Sequence, residues 1–572
     1  MATQRTDVVI VGVGAAGGIL AAELGKAGMK VIGLERGPRL KTEDFTPHDE
    51  LRYFQRQELR PNVKRTPVTW RMNAAATASP LPVLNYGNQA GGGTVHYGTL
   101  SWRFHEDDFR ARSQTVDRYG ASALPADTSL TDWPLSYADL EPFYDRAEYE
   151  LGVSGKAGNL QGRKMDGGNV FEAPRRRDYP LPALLADQSG VLFEAGARKL
   201  GYHPFSSPRT ILSKPYQDRP SCTYCGFCQA FGCHVGAKSS ILVTKLPQAD
   251  ATGNFQLLTG VMCYRVNSDS SGRVTGVSYY GPDGSDNNVE AELVILAPFI
   301  YDNTRLLLLS KTDRFPSGLA NSSGHVGKHL MAHITPKAFA AFDDRFVNVY
   351  MGPSAQKHSL DDFNADNFDH SRQAFIRGAQ ISVGPADLEA GPIGAAMSMN
   401  PPPGIPRWGA AYRDFLAKYF ARYAAVVAQT ENLPYADQTI DLDPLVRDQW
   451  GLPAPRLTYD WRRPNESARI EFLFGKLEEL GRAMGASQVW RAPVSPAPGA
   501  HHEGGTRMGS DPKTSVVNRY GQSWDIPNLF VIGSSTFPSM SGFNPTLTIQ
   551  ALAYMSADAI VNRYKKNPGP MV

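Results

Sequence analysis

An α/β fold follows from three features at the start of this 572-residue sequence. Residues 7–11 are β-branched and apolar, 15–27 are rich in Ala, Leu and Glu, and 30–34 are again β-like, which reads as strand, helix, strand. Gly12, Gly14 and Gly17 fall in G-x-G-x-x-G spacing between the first strand and the helix. Glu35 closes the second strand, eighteen residues after the last of these glycines. The three glycines act differently, since Gly12 allows a tight turn, Gly14 lets a pyrophosphate approach the backbone, and Gly17 lets helix pack on strand. The helix N-terminus attracts the anion, and Glu35 is placed to accept from ribose hydroxyls. The unit is a Rossmann-like dinucleotide site. The motif alone does not choose between FAD and NAD.

Further along, 260–266 and 274–280 alternate as strands, a Gly-Pro-Asp-Gly turn follows at 281–284, and strand 293–297 leads towards a helix at 305–310. Residues 335–490 differ in character, with many aromatics, a Pro-Pro-Pro-Gly run at 401–404 and a helix expected over 466–484. The last eighty residues or so return to a strand (529–532), a glycine-rich turn and an apolar helix from 546 to about 561. No internal repeat or heptad run is present.

The length exceeds what one hydrophobic core supports, so two domains are expected. Lys and Arg total 59 against 56 Asp and Glu, a formal charge of +3. That field is too weak to recruit nucleic acid or an anionic membrane, and it points to a small-molecule substrate. The apolar stretch 8–20 has no basic region before it and is broken by glycines, so it reads as fold rather than address. No run reaches the ~18 to 20 apolar residues of a bilayer span, and no direct membrane span is expected.

Several separated motifs carry a resemblance to the glucose-methanol-choline (GMC) flavoproteins: the 91–97 stretch GGGTVHY, Asp132-Trp133-Pro134, Glu141-Pro142-Phe143-Tyr144, and Gly533-Ser534-Ser535 through Asn544-Pro545-Thr546. Within that group the sequence resembles gluconate 2-dehydrogenase-type large subunits. Its CTYCGFC run at 222–228, Gly236-Ala237-Lys238 and the DPKTSVVNR run at 511–519 add to the likeness. The likeness covers nearly the whole chain and is weakest over 335–490. It implies an FAD-binding domain from 1–160, 220–335 and 490–572, with an inserted antiparallel-sheet substrate domain from 161–219 and 336–489. It also implies that Arg36, Gly91, Gly92, Thr94, Val261, Gly533, Ser534, Pro545 and Thr546 lie beside the FAD. His96 matches the place where some members attach FAD covalently and others leave it unlinked, so it is expected as a flavin neighbour.

Alcohol oxidation needs a base for the hydroxyl proton while hydride moves to flavin N5, and neutral imidazole suits that role. The 501–509 stretch HHEGGTRMG is similar to the family's catalytic histidine loop, but has Gly505 where threonine is usual. Counting back from Arg507-Met508-Gly509 gives His501 as base, and anchoring on Gly505-Thr506 gives His502; His501 is preferred. Asn544 is expected to orient the substrate oxygen by donating to it. The implied reaction oxidises a secondary alcohol of a sugar, sugar acid or glycoside to a ketone. An oxidase using oxygen and a non-catalytic flavin electron relay are the alternatives.

Four of five cysteines, Cys222, Cys225, Cys228 and Cys233, form C-x2-C-x2-C-x4-C, too few for a disulfide scaffold. The run resembles that of ferredoxins, with a last gap one residue longer and His234 in place of proline. An iron-sulfur cluster, 3Fe-4S or 4Fe-4S, is expected ahead of zinc or a disulfide, and Cys263 is expected to be buried and apolar. The resemblance points to a cytochrome c subunit as acceptor and a small subunit bearing the export signal, hence the periplasm, with the cytoplasm as alternative. Arg175-Arg176-Arg177 is expected as a solvated loop.

Overall fold

The computed structural model describes residues 3–347, 358–384 and 391–571; parts of the expected substrate lobe, 348–357 and 385–390, lie outside the described residues. Strand Thr3–Val11, helix Gly17–Lys26 and strand Val31–Glu35 form the opening unit. They belong to a seven-stranded sheet in which Phe255–Thr259, Val31–Glu35, Thr3–Val11 and Asp286–Leu296 run side by side in parallel. Leu529–Val531 adds a further parallel strand beside residues 294–296. Such strands are covered on both faces and carry continuous apolar runs; Val8, Val9, Ile10, Val294, Ile295 and Leu296 are all fully buried.

The strand expected at 293–297 is longer than its apolar part, running from Asp286 to Leu296. Its polar first half pairs antiparallel with Val274–Tyr280, which in turn pairs with Met262–Ser268. The turn at 281–284 sets that register, so the early residues needed no apolar face to be strand. The helix after it spans Ile300–Leu309, beginning earlier than its leucines suggest.

A second, six-stranded antiparallel sheet has the order Gln488–Arg491, Lys337–Ala341, Tyr423–Thr430, Ala379–Gly384, His358–Leu360, Phe205–Ser206. Tyr423–Thr430 is buried at every position, because both faces of the sheet are covered. Leu473, Leu477 and Leu480 of helix Pro464–Ala483 pack with Ala338, Ala340, Val426 and Ala428 on one face. Phe415, Tyr419 and Trp490 pack with Phe339, Ala425 and Val427 on the other. Helix Pro464–Ala483 starts two residues before the expected position because Pro464 suits the first helical turn, where its missing N–H costs nothing. The fold is the α/β arrangement with an antiparallel-sheet lobe that the motifs implied.

A two-stranded ribbon joins the two parts: Met331–His333 pairs antiparallel with Ala500–Glu503, Met331 opposite Glu503 and His333 opposite Ala500. His333 thereby meets the histidine loop from a point 168 residues earlier in the chain.

Candidate active site

Gly12 has φ +81°, and a Cβ there would lie 2.6 Å from the backbone of Pro298. A Cβ on Gly17 would sit 2.0 Å from the Gly12 carbonyl oxygen. Both glycines are therefore demanded by the protein's own packing. Gly14 is different: its nearest neighbour would be the Gly92 Cα at 3.6 Å, an ordinary contact. Its bareness opens space, and that space is the start of a cavity of about 330 Å³.

The cavity runs from Gly12, Gly14, Glu35 and Arg36 past Gly92, Thr94, His96 and Val261 to Gly533, Ser534, His501, His502, Asn544, Pro545 and Thr546. Two residues expected in the site stand behind its wall: Gly17, in the helix contact just described, and Gly91, whose N–H donates to the Val13 carbonyl at 2.8 Å. Glu35 accepts from the Val13 N–H at 3.0 Å and the Gly37 N–H at 2.9 Å. Burial raises its pKa, and these bonds pull the other way. A carboxylate has about four acceptor positions, so capacity remains for hydroxyls. Arg36 pairs with Asp302 at 3.2 Å. Cys263 is partly buried against the core, as an apolar residue would be, and also lines this cavity. Helices Gly17–Lys26 and Thr546–Ala559 both begin at the cavity, and the positive ends of their dipoles favour negative charge there.

At the far end, Asn544 Nδ2 lies 3.0 Å from His501 Nε2. His501 has φ +54°, a left-handed conformation uncommon outside glycine, at the turn that carries its ring into the cavity. His501 Nδ1 is 3.0 Å from Nδ1 of His333, whose Nε2 is 2.7 Å from the Ser541 carbonyl. Asn544 Oδ1 accepts from Trp102 Nε1 at 3.0 Å. His502 lies apart from Asn544 and is bonded through Nδ1 to the Tyr301 hydroxyl at 2.6 Å. Trp102, His333 and Tyr301 carried no signal in the sequence, since a lone aromatic or histidine in an apolar stretch reads as core.

Burial holds these imidazoles neutral. It brings the pKa of His501 down to about 4 and, helped by His501, that of His502 to about 3. Burial and then Arg60 and Lys238 bring His96 to about 3, and its Nε2 has no hydrogen-bond partner among the described residues. His333 is held well below 6.5 by burial and by His501.

Cys222, Cys225, Cys228 and Cys233 line a second, smaller cavity with His234 and Lys238. None of the four is joined to another by a disulfide in this structure. Burial pushes Cys222 up to about 11 and Cys228 up to about 12. Among the described residues no group of three or more His, Cys, Asp or Glu is arranged to hold a metal ion. The cysteine loop is tied to the first cavity by the Ala230 N–H, which donates to the His96 carbonyl at 2.8 Å. Arg175 is fully buried, paired with Glu148 and stacked over Tyr179, so the expected solvated loop is in part a structural ion-pair cluster. Arg177 pairs with Asp145 at 2.9 Å.

Family models of GMC oxidoreductases match residues 72–335 and 434–553. The chain belongs to the GMC oxidoreductase family. It is 35% identical to the gluconate 2-dehydrogenase flavoprotein of Pantoea cypripedii over 100% of this chain and 95% of that one. It is 29% identical to the fructose dehydrogenase large subunit of Gluconobacter japonicus over 99% of each. Among solved structures, pyridoxine 4-oxidase from Mesorbium loti matches with a TM-score of 0.61 at 18% identity, covering 99% of this chain and 100% of that chain, and shares the fold. As a GMC oxidoreductase the protein is an FAD enzyme, and the cavity fits that cofactor: a long space floored by Gly14 and Gly92, with an acid at one end and a His–Asn pair at the other.

Two outcomes follow from this geometry. Gly14→Val is expected to purify without FAD at an unchanged cofactor-free urea midpoint, whereas Gly17→Ala, which must push helix off strand, should lose about 1–3 kcal/mol of stability; stoichiometric yellow flavin in Gly14→Val would contradict the assignment. His96, His501 and His502 stay neutral in the fold down to about 3 to 4 but take up protons near 6.5 when unfolded. Stability should therefore fall as pH drops below about 6.5, by about 1.4 kcal/mol per pH unit for each histidine in that window. A urea midpoint equal at pH 7 and pH 5 would contradict it.

Proposed function

We propose that the protein is a dehydrogenase that oxidises a secondary alcohol of a sugar, sugar acid or glycoside to the ketone, with His501 as base and Asn544 as orienting amide. The observation that carries this reading is the 3.0 Å approach of His501 Nε2 to Asn544 Nδ2 at the inner end of the cofactor cavity. FAD, held by the Gly12–Gly17 turn, Glu35 and the 91–96 stretch, supplies the acceptor for the hydride. The alcohol proton passes to His501 Nε2, and the carbonyl bond forms as the carbon-bound hydride leaves. The Asn544 N–H donates to the same oxygen and fixes which carbon faces the flavin. A partly buried, neutral imidazole is ready to accept at neutral pH without first losing a proton. His502, engaged by Tyr301, contributes to the cavity wall.

The sugar class is supported by full-length similarity to gluconate and fructose dehydrogenases. Similarity to a protein named as a large subunit also supports companion subunits, which we take to be a small export-signal subunit and a cytochrome c acting in the periplasm. We assign residues 1–160, 220–335 and 490–572 to FAD binding and 161–219 with 336–489 to the substrate lobe.

We further propose that Cys222, Cys225, Cys228 and Cys233 hold an iron-sulfur cluster. Two buried cations beside the thiols support it. Lys238 Nζ donates to the carbonyls of Val95, Cys228 and Phe231. Arg209 has Nε and Nη2 without hydrogen-bond partners among the described residues, and burial brings it down to about 9. Buried cations of this kind call for anionic charge nearby, which thiolate-ligated iron and sulfide would provide.

His501→Ala is expected to slow anaerobic flavin bleaching by the best of a panel of sugars by ~10² to 10⁴ while keeping its FAD. His502→Ala, run beside it, should bleach near the wild-type rate, and the reverse pattern would transfer the base to His502. Peroxide formed on readmitting air would mark an oxidase instead. Anaerobically purified protein should contain iron and acid-labile sulfide; zinc alone, or five titratable thiols, would remove the cluster.

A further inference from the structure

We propose that His333 is a positioning residue that holds His501 in the tautomer with its proton on Nδ1, leaving the Nε2 lone pair aimed at the substrate. This rests on the reading of His501 as base and extends it to the residue behind.

The assignment follows from hydrogen-bond polarity at both ends of one chain of contacts. At one end, the Ser541 carbonyl can only accept, so His333 Nε2 at 2.7 Å must carry a proton. His333 is fully buried and neutral, so its Nδ1 is a lone pair. That lone pair faces His501 Nδ1 at 3.0 Å, and only His501 can supply the proton between them. His501 Nε2 is then the free acceptor. At the other end, Trp102 Nε1 can only donate, so the atom it meets at 3.0 Å is the Asn544 amide oxygen. Gln429 Nε2, itself turned by donating to the Gly542 carbonyl at 2.9 Å, reaches the same oxygen at 3.4 Å. The Asn544 NH2 group must therefore face His501 Nε2, which again requires a lone pair there.

The two ends are independent and agree. The other tautomer would set two donors against each other at Asn544 and two lone pairs against each other at His333. Two part-buried hydrogen bonds would be lost, disfavouring that state by roughly tenfold to a hundredfold. When a substrate hydroxyl enters between Nε2 and Nδ2, its proton moves to Nε2, and the imidazolium formed keeps its Nδ1–H on His333. No proton travels past His501, because His333 has no acceptor to pass one to except a carbonyl. The register of the Met331–His333 and Ala500–Glu503 ribbon supplies the contact.

The test uses FAD-loaded protein labelled with ¹⁵N in its histidines, the His501 signals being those missing from His501→Ala. Wild type should show a protonated Nδ1 and an unprotonated Nε2; a protonated Nε2 overturns the inference without any variant. His333→Leu leaves only the Asn544 end to set the tautomer, so it should weaken the tautomer preference and lower the limiting rate of flavin reduction severalfold to about tenfold, with the apparent substrate Kd within about twofold and FAD retained. His333→Gln, whose amide can both accept from Nδ1 and donate to Ser541, should recover most of that rate. Wild-type rate in His333→Leu, or equal loss in both variants with the His501 signals unmoved, overturns it. His501→Ala with a wild-type rate would instead remove the base reading itself, and this inference with it; collapse in His501→Ala beside normal His333→Leu removes only the role of His333.

Discussion

The parallel seam between Thr3–Val11 and Asp286–Leu296 is the constraint on which the rest hangs. It runs in register from Thr3 opposite Asn288 to Val11 opposite Leu296, joining segments nearly three hundred residues apart. Because Val11 and Leu296 are level, the turns that follow them, Gly12 on one side and Ala297-Pro298 on the other, meet edge to edge and leave no room for a Cβ on Gly12. Leu529–Val531 lies along the same strand, so the Gly533 turn emerges beside them. The cofactor cavity is the space beyond these three strand ends, as expected where ligands bind at the carboxyl ends of a parallel sheet.

Much of this was readable from residue type and spacing. The glycine turn with Glu35 announces itself because each member answers a local steric or charge demand. His501 and Asn544 are polar residues flanked by distinctive turns, and those turns are local. What was not readable depends on tertiary register. His333 sits in an apolar stretch and Trp102 is a lone aromatic between Ser101 and Arg103, and each gains its role only when a strand or helix from elsewhere is laid against it. Arg175 went wrong for the same reason: three arginines in a row read as solvated, yet Glu148 from a distant helix buries one of them. The cysteines are an intermediate case, since their spacing brings them to one cavity, while the ligand geometry of a cluster is not something spacing alone can set.

The histidines of the site illustrate how burial trades stability for readiness. An exposed imidazole would spend part of its time protonated near pH 6 to 7, and a protonated base cannot accept. Taking His501 partly out of water keeps it unprotonated at rest, and the same withdrawal makes its polar atoms costly unless paired. The site meets that cost with partners whose polarity is fixed, a carbonyl and an indole N–H, so neutrality and orientation come from the same contacts.

Gln429 lies on the central strand of the six-stranded sheet, and His333 leads into its neighbour. The six-stranded lobe is thus also part of the scaffold for His501 and Asn544, the base and amide of the proposed reaction. Chimeras that exchange this lobe between relatives to change the sugar they accept must carry the residues at 333 and 429 across as a matched pair. A graft chosen only for its substrate contacts would keep its flavin and its ligand and turn over slowly, and the cause would lie behind the pocket rather than in it.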